Sequence, residues 1–294
     1  MMRVLVTGSG GPAGRALIAM LAERGLDVLG ADMAPVMGLP VPTRRLPAAA
    51  DPLFLTELGA LVESESIDLL VPTVSEELPV LASAVARELW PHACGVVIGE
   101  ADAVRAADDK LVTAQRLRAA DVSVPRFARP SQLSSVVEAT SWWGAPIVLK
   151  PRVSRGGRGV HLLSSDRDLD WRMIGDDQIV QEFAPGIEYA PVVYRPRAGA
   201  SGDVTVVLEK SAAGDRIRRV EAPDVAALAL RAAGALGLTG PVDVDVRRDP
   251  AGRPVVLEVN ARVGANVGLA PELVDAMLAD HARLAQETGP AWVT

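Results

Sequence analysis

The chain has 294 residues, 49% of them hydrophobic and only 3% aromatic, with a formal net charge of −7. That length supplies core for two domains or one large one, and the core must be built from Ala, Val and Leu, as in buried parallel sheets and their covering helices. The acidic balance excludes the basic footprint a nucleic-acid binder needs, and the short pairs Arg44–Arg45, Arg218–Arg219 and Arg247–Arg248 read as solvated faces or loop ends.

Cys94 is the only cysteine, so no internal disulfide forms; it reads as a buried structural thiol in a reducing cytosol. The start Met1-Met2-Arg3-Val4-Leu5-Val6 runs straight into glycines and reads as a strand, not a signal peptide. The most helical apolar run, Val225 to Leu238, is too short for a bilayer and is interrupted by Arg231. A cytoplasmic protein with no membrane and no nucleic-acid partner is expected.

In chain order, the pattern predicts a strand over 4–7, a glycine turn, a helix over 15–24, a strand over 28–31 ending at Asp32, a helix over 53–64, a strand over 67–72, a helix over 78–89 and a strand over 96–98. Strand and helix alternating at this spacing mean a parallel sheet with helices on its faces, a Rossmann-like domain. After Ala101 the pattern changes. A helix is predicted over 108–120, then strands over 147–150, 161–163, 179–183 and 189–194. A meander over 204–209 and 216–220 is joined by Ala213-Gly214-Asp215, and a helix follows over 224–236. A hairpin of 242–248 with 255–259 and a last helix over 271–286 complete an α+β half.

Gly8-x-x-Gly11-x-x-Gly14 follows a strand and opens a helix, the setting in which glycines let a phosphate approach a helix N-terminus, and Asp32 stands where a ribose-binding acid would. One reading is therefore an NAD(P)-dependent reductase of the short-chain type. That chemistry needs a Tyr-x-x-x-Lys pair, whereas Tyr189 and Tyr194 have Val193 and Ala198 four residues on. The reading adopted is a tight turn that binds no dinucleotide.

The hairpin carries more. A turn centred between Ala251 and Gly252 pairs Asp245 with Glu258 and Asp243 with Asn260, and strand alternation puts all four on one face. Opposed carboxylates destabilise a strand pair unless a cation neutralises them. Their hard oxygens suit Mg²⁺, which takes its remaining ligands from water and phosphates. A solvated face is the plain alternative, but it does not explain the Arg262 and glycines that follow. Upstream, Lys150-Pro151-Arg152 and Arg155-Gly156-Gly157-Arg158-Gly159-Val160 suit a flexible hairpin folding over a polyphosphate, against the alternative of an ordinary mobile basic hairpin. Gln181-Glu182-Phe183-Ala184-Pro185-Gly186-x-Glu188 suits a turn that presents backbone groups to adenine and a carboxylate to ribose. Glu76 and Glu77 end a parallel strand. They either reach the cleft or simply stabilise a helix N-terminus.

Together, Asp109-Lys110, Val148-Leu149-Lys150-Pro151-Arg152 with Gly157-x-Gly159-Val160, Gln181-Glu182-Phe183-x-x-Gly186-x-Glu188-Tyr189, Gly240-Pro241-Val242-Asp243-Val244-Asp245 and Glu258-Val259-Asn260-Ala261-Arg262 resemble the ATP-grasp superfamily, nearest its carbamoyl-phosphate-synthetase-like and carboxylate–amine ligase branch. Gly10-Gly11-Pro12-Ala13-Gly14 and Val71-Pro72-Thr73-Val74-Ser75-Glu76-Glu77-Leu78 resemble that branch's front domain. The resemblance implies an α/β fold: a Rossmann-like pre-ATP-grasp domain over 1–105, then an α+β ATP-grasp domain with a small lobe over 106–180 and a large lobe over 181–294. It implies ATP and Mg²⁺, with Mn²⁺ as a substitute. By the same resemblance Lys110 and Lys150 contact phosphates, Gly157, Gly159 and Val160 cover them, and Lys210 adds a further contact. Glu182, Phe183 and Ala184 frame adenine, and Glu188 holds ribose. Asp245, Glu258 and Asn260 bind the metal, and Arg262 acts with Lys150 on the transferring phosphoryl group. The implied reaction activates a carboxylate as an acyl phosphate for attack by an amine or related nucleophile, on small-molecule substrates, in a chain that at family level forms a homodimer. A non-catalytic nucleotide-binding protein is the other alternative. After Arg262 the chain reads Val263-Gly264-Ala265-Asn266, where relatives carry a Ser-Gly-Gly-like loop.

Overall fold

The computed structural model describes residues 2–90, 94–167, 169–197, 202–211, 214 and 216–288. Ala198, Ala213 and Asp215, named above, lie outside the described residues.

The front of the chain is β1 (Arg3–Thr7), α1 (Pro12–Glu23), β2 (Asp27–Asp32), β3 (Thr43–Arg45), α2 (Phe54–Ser64), β4 (Leu69–Val71), α3 (Leu78–Ala86) and β5 (Gly95–Val96). The strands form one parallel sheet in the order β3-β2-β1-β4-β5. Val4, Leu5 and Val6 are wholly buried because helices cover both faces, which is why β1 reads as a continuous apolar run. Pro12 opens α1, where its missing N–H costs nothing. Gly14 must be glycine, since a Cβ there would overlap the carbonyl of Gly8. Strand β3 was not foreseen: it is three residues long and mostly exposed.

The expected helix over 108–120 is α5 (Lys110–Ala119), and a helix absent from that expectation, α4 (Ala101–Asp108), precedes it. Asp109 is extended and caps α5, its carboxylate accepting from the Leu111 and Val112 amides, so the chain turns at that residue. A four-stranded sheet follows, in a segment comprising β6 (Phe127–Ala128), α6 (Val136–Trp143), β7 (Ile147–Pro151), β8 (His161–Leu163) and β9 (Gln178–Glu182), with strand order β6-β9-β7-β8 and antiparallel pairing. Helix α6 and strand β6 are also absent from the sequence reading.

The last sheet comprises β10 (Glu188–Tyr189), β11 (Val192–Arg195), β12 (Val204–Val206), β13 (Leu208–Lys210), β14 (Ile217–Arg219), β15 (Gly240–Arg248) and β16 (Pro254–Asn260), with α7 (Pro223–Ala235) before the hairpin and α8 (Pro271–Thr288) after it. The single strand expected over 189–194 breaks at Ala190-Pro191. Proline has no N–H for the ladder, and the Ala190 amide turns instead to the Leu208 carbonyl. On β15, Val242, Val244 and Val246 are wholly buried and share a core with Val225, Leu228 and Ala232 of α7. Alternation therefore turns Asp243, Asp245 and Arg247 to the opposite face, which carries the site.

Candidate active site

The β15–β16 hairpin pairs Asp243 with Asn260 and Asp245 with Glu258, as the sequence suggested, but by a different route. Nearer the turn the partners are Arg248 with Pro254, Arg247 with Val255 and Val246 with Val256, one residue out of the expected register. A bulge at Leu257 then restores the acid pairs. The bulged residue's carbonyl leaves the ladder and accepts a hydrogen bond from Lys150 Nζ at 3.1 Å. The irregularity that brings Glu258 opposite Asp245 also anchors a lysine from β7 of the four-stranded sheet.

Lys110 begins α5 and is 4% exposed; Lys150 lies on β7 and is 6% exposed. Lysines this buried need partners. Lys110 Nζ donates to the Ser154 carbonyl at 2.7 Å and stands 3.3 Å from Glu258 Oε1. Burial pushes the Lys150 ammonium down to about 8; Lys110 pushes the same way, against Glu258 and Asp245. Glu258 is raised, mainly by burial and further by Asp245, against the pull of Lys110 and Lys150. On the other side, Lys210 Nζ donates to Glu188 Oε1 at 2.6 Å and Asp245 Oδ1 at 3.0 Å. Burial works to lower Lys210, but Asp245 and Glu188 outweigh it and hold the ammonium above its ordinary range.

Asp243 is the one acid of this face without such a partner. Its Oδ1 is buried and makes no hydrogen bond, and burial next to Asp245 pushes the carboxyl up to about 7. A Cβ at position 264 would fall within the Asp243 carboxylate, so Gly264 is required there. This explains one glycine of the segment after Arg262. Arg262 itself donates to Ser75 Oγ at 2.9 Å and so ties the hairpin's exit to the front sheet.

Phe183, Ala184 and Glu188 are placed through Arg247, which the sequence presents as part of a solvated face but which is largely enclosed. Its guanidinium lies 5.5 Å from the centre of the Phe183 ring, donates to the Ala184 carbonyl at 3.1 Å and approaches Glu188 Oε2 at 3.4 Å. Its position beside Asp245 on an alternating strand is the signal that would have found it. Arg248 is likewise engaged, with Asp224 at 2.7 Å. The Glu182 carboxylate is held by Arg126 at 2.8 and 2.9 Å, and the Glu182 amide donates to the Arg126 carbonyl. Glu182, Phe183 and Ala184 line a cavity of about 460 Å³ with Val124, Pro125 and Asp249.

The structure thus gathers Lys110, Lys150, Lys210, Glu188, Asp245 and Glu258 into one network of lysines and carboxylates on the hairpin face. Asn260 lies at its edge opposite Asp243, and Phe183 and Ala184 attach through Arg247. Gly157 and Gly159 adopt left-handed φ values of 70° each in an exposed turn with Val160, apart from that network. The arginines of this turn face the front sheet: Arg155 forms an ion pair with Glu76. Glu77 is buried and accepts from the Thr7 hydroxyl; burial, offset in part by that bond, pushes its carboxyl up to about 7. Among the described residues no group of three His, Cys, Asp or Glu side chains is arranged to hold a metal alone. Asp245 and Glu258 with the Asn260 amide are a hard-oxygen set too small for a protein cage, which fits an ion that takes its other ligands from phosphates.

The glycine loop behaves otherwise. The amides of Ser9, Gly10 and Gly11 donate to Ala31 O, Asp32 Oδ2 and Gly8 O, and Asp32 Oδ1 accepts from Ala34 at 3.3 Å. The anion at this turn is the protein's own Asp32 carboxylate.

A family model for the ATP-grasp domain matches residues 107–266. The D-alanine–D-alanine ligase of Gloeobacter violaceus is 29% identical over 203 residues, which cover 61% of this chain and 67% of that protein. The carbamoyl phosphate synthase large chain of a Thermotoga species is 24% identical over 263 residues, covering 80% of this chain, and the chain spans only 24% of that protein's length. Among solved structures, an L-amino acid ligase from Bacillus licheniformis superposes with a TM-score of 0.68 at 18% identity, over 91% of this chain and 69% of that one. An N5-carboxyaminoimidazole synthetase from Staphylococcus aureus complexed with ADP gives 0.66 at 16% identity, over 89% of this chain and 70% of that one. Since the matching family model spans more than half of its residues, the chain belongs to the ATP-grasp domain family.

Proposed function

We propose that this protein is an ATP- and Mg²⁺-dependent carboxylate–amine ligase. The observation that carries the reading is an opposed acid pair with separate lysine partners: Asp245 and Glu258 face each other, one held by Lys210 and the other by Lys110, with Lys150 buried nearby. Four carboxylates and several cations crowded in a half-enclosed space are poised to exchange partners when a polyanion and its cation enter.

In this reading Lys110 and Lys210 turn from carboxylates, and Lys150 from the Leu257 carbonyl, to phosphate oxygens, and Asp245, Glu258 and Asn260 hold Mg²⁺. The ion supplies charge neutralisation on the polyphosphate. Arg247 keeps Phe183 and Ala184 against the adenine side and steadies Glu188 for ribose, while Glu182 stays with Arg126. The hairpin of Gly157, Gly159 and Val160 covers the phosphates. Arg262 faces the transferring phosphoryl group. A substrate carboxylate oxygen takes the γ-phosphoryl group and ADP leaves; an amine nitrogen then displaces phosphate and loses a proton, giving an amide. The protein's part is positioning and charge, so no nucleophilic side chain is needed. Residues 106–180 and 181–294 serve as the two closing lobes and 1–105 as the substrate-side domain. The glycine loop favours no reductase, because Asp32 already fills its anion position.

Coupled measurement of ADP release with a panel of carboxylic acids and amines tests the reading. The expected result is ADP release that requires Mg²⁺ and both substrates. Binding of NADPH, with no effect of Mg·ATP on the melting temperature, would sink it.

A further inference from the structure

The residues of β15 that face the site stand in one row. Arg247 lies with Phe183 and Ala184, Asp245 faces Glu258, and Asp243 faces Asn260. Each step of the row is about 7 Å along the strand. Asp243 is thus one step beyond the opposed acids, on the side away from Phe183. It is partly exposed, and neither of its oxygens has a hydrogen-bond or ion-pair partner among the described residues. The cations within electrostatic reach of it, Lys210 and Arg262, are bonded elsewhere. Lys210 donates to Glu188 and Asp245, and Arg262 to Ser75 and the Val263 carbonyl. On the β11 side its strand partner is the buried Val192, and Gly264 closes against the carboxylate without a side chain of its own. An acid left without a donor in such a place is costly, and a fold keeps the conflict where a ligand resolves it.

Entry of the nucleotide does not resolve it. In the ligase reading above, on which this inference rests, the metal takes Asp245, Glu258 and Asn260, ribose takes Glu188, and the lysines and Arg262 turn to phosphate oxygens. Asp243 alone is left without a counter-ion, and it stands on the far side of the metal from the adenine. The group that has to reach that point is the amine. We propose that Asp243 is a specificity-determining residue for the amine substrate, which arrives as an ammonium ion and is held by the Asp243 carboxylate. A hydrogen bond from an ammonium to a carboxylate is roughly twice as strong as one between neutral groups, so this position selects a cationic amine over a neutral amide of similar shape. Gly264 keeps the carboxylate in place by leaving room for it and no more.

Isothermal titration calorimetry of the full chain saturated with Mg·AMP-PNP tests it. The probes are ethylammonium, benzylammonium and L-alaninamide, each compared with its neutral N-acetyl derivative. At least one cation should bind at least about tenfold tighter than its derivative. Asp243→Asn should reduce that ratio to about twofold or less, while the affinity for Mg·AMP-PNP and its Mg²⁺ dependence stay as in the wild type. Asp243→Ala should do the same, and neither variant should melt lower, since no partner of Asp243 is lost. Equal binding of the cations and their derivatives, no heat from any cation, or a preference that survives in both variants would overturn the proposal. So would a changed Mg²⁺ dependence in Asp243→Asn, which would make the residue a metal ligand. None of these outcomes touches the ligase reading, which fails instead if the wild type does not bind Mg·AMP-PNP.

Discussion

Two strand ends of this chain carry glycines and acids, and they use their polar groups in opposite ways. At the front loop the amides of Ser9, Gly10 and Gly11 have found acceptors within the loop or on the adjoining strand, and Asp32 accepts from Gly10 and Ala34. At the hairpin, Asp245 and Glu258 face each other, Asp243 Oδ1 has no donor, and buried lysines stand in as counter-ions. The first arrangement turns its acid onto its own amides. The second carries conflicts that a folded chain keeps only where something else resolves them. A motif is therefore better judged by what its polar groups lack than by its letters.

The comparison breaks most easily at Glu258. Glu258→Gln keeps a hydrogen-bonding side chain for Lys110 while removing the charge. It should lower Mg·ATP-dependent turnover by about 100-fold or more, with the melting temperature little changed; wild-type turnover would remove Glu258 from the site. Next comes the orphaned acid. Gly264→Ala should destabilise the protein by about 1–3 kcal/mol through overlap with Asp243, as in overpacked cores. In an Asp243→Ala background the same change should cost much less, and denaturant melts of the four proteins give that coupling.

Lys150 sharpens the contrast through pH. Burial lowers it to about 8 in the free protein, so above that value binding of a polyphosphate must be accompanied by proton uptake. Affinity for Mg·AMP-PNP should fall by up to about tenfold per pH unit between roughly pH 8 and 9.5. Calorimetry in buffers of different ionisation heat should show the proton taken up, and the uptake should vanish in Lys150→Met. The smallest effect belongs to the front loop. Asp32→Ala removes two amide partners at a partly exposed turn and should cost about 1 kcal/mol of stability without changing Mg·AMP-PNP affinity. A gain or loss of NADPH binding in that variant would reopen the dinucleotide reading.

Much of the architecture was legible because it rests on local rules. Continuous apolar runs such as Val4–Val6 mark a sheet covered on both faces, and the alternation of Val242, Val244 and Val246 with Asp243, Asp245 and Arg247 announces a half-buried strand. What was illegible depended on distant partners. Asp109 looks like one of two acids at a helix start until its carboxylate caps α5 and binds Arg152, with a second helix ending just before it. Arg247 looks like a surface residue until Phe183, Ala184 and Glu188 are brought to it.

By itself, the sequence determined the strand and helix periodicities, the turn that folds β15 onto β16 and the shared face of four oxygen-bearing side chains, since each follows from chirality and side-chain alternation within a few residues. Only the tertiary structure decided that Leu257 bulges to restore the acid pairing, that lysines from three separate elements neutralise those acids, and that Asp32 closes its own glycine loop. Those outcomes turn on burial and charge, and both are set by whichever remote segments pack against a residue.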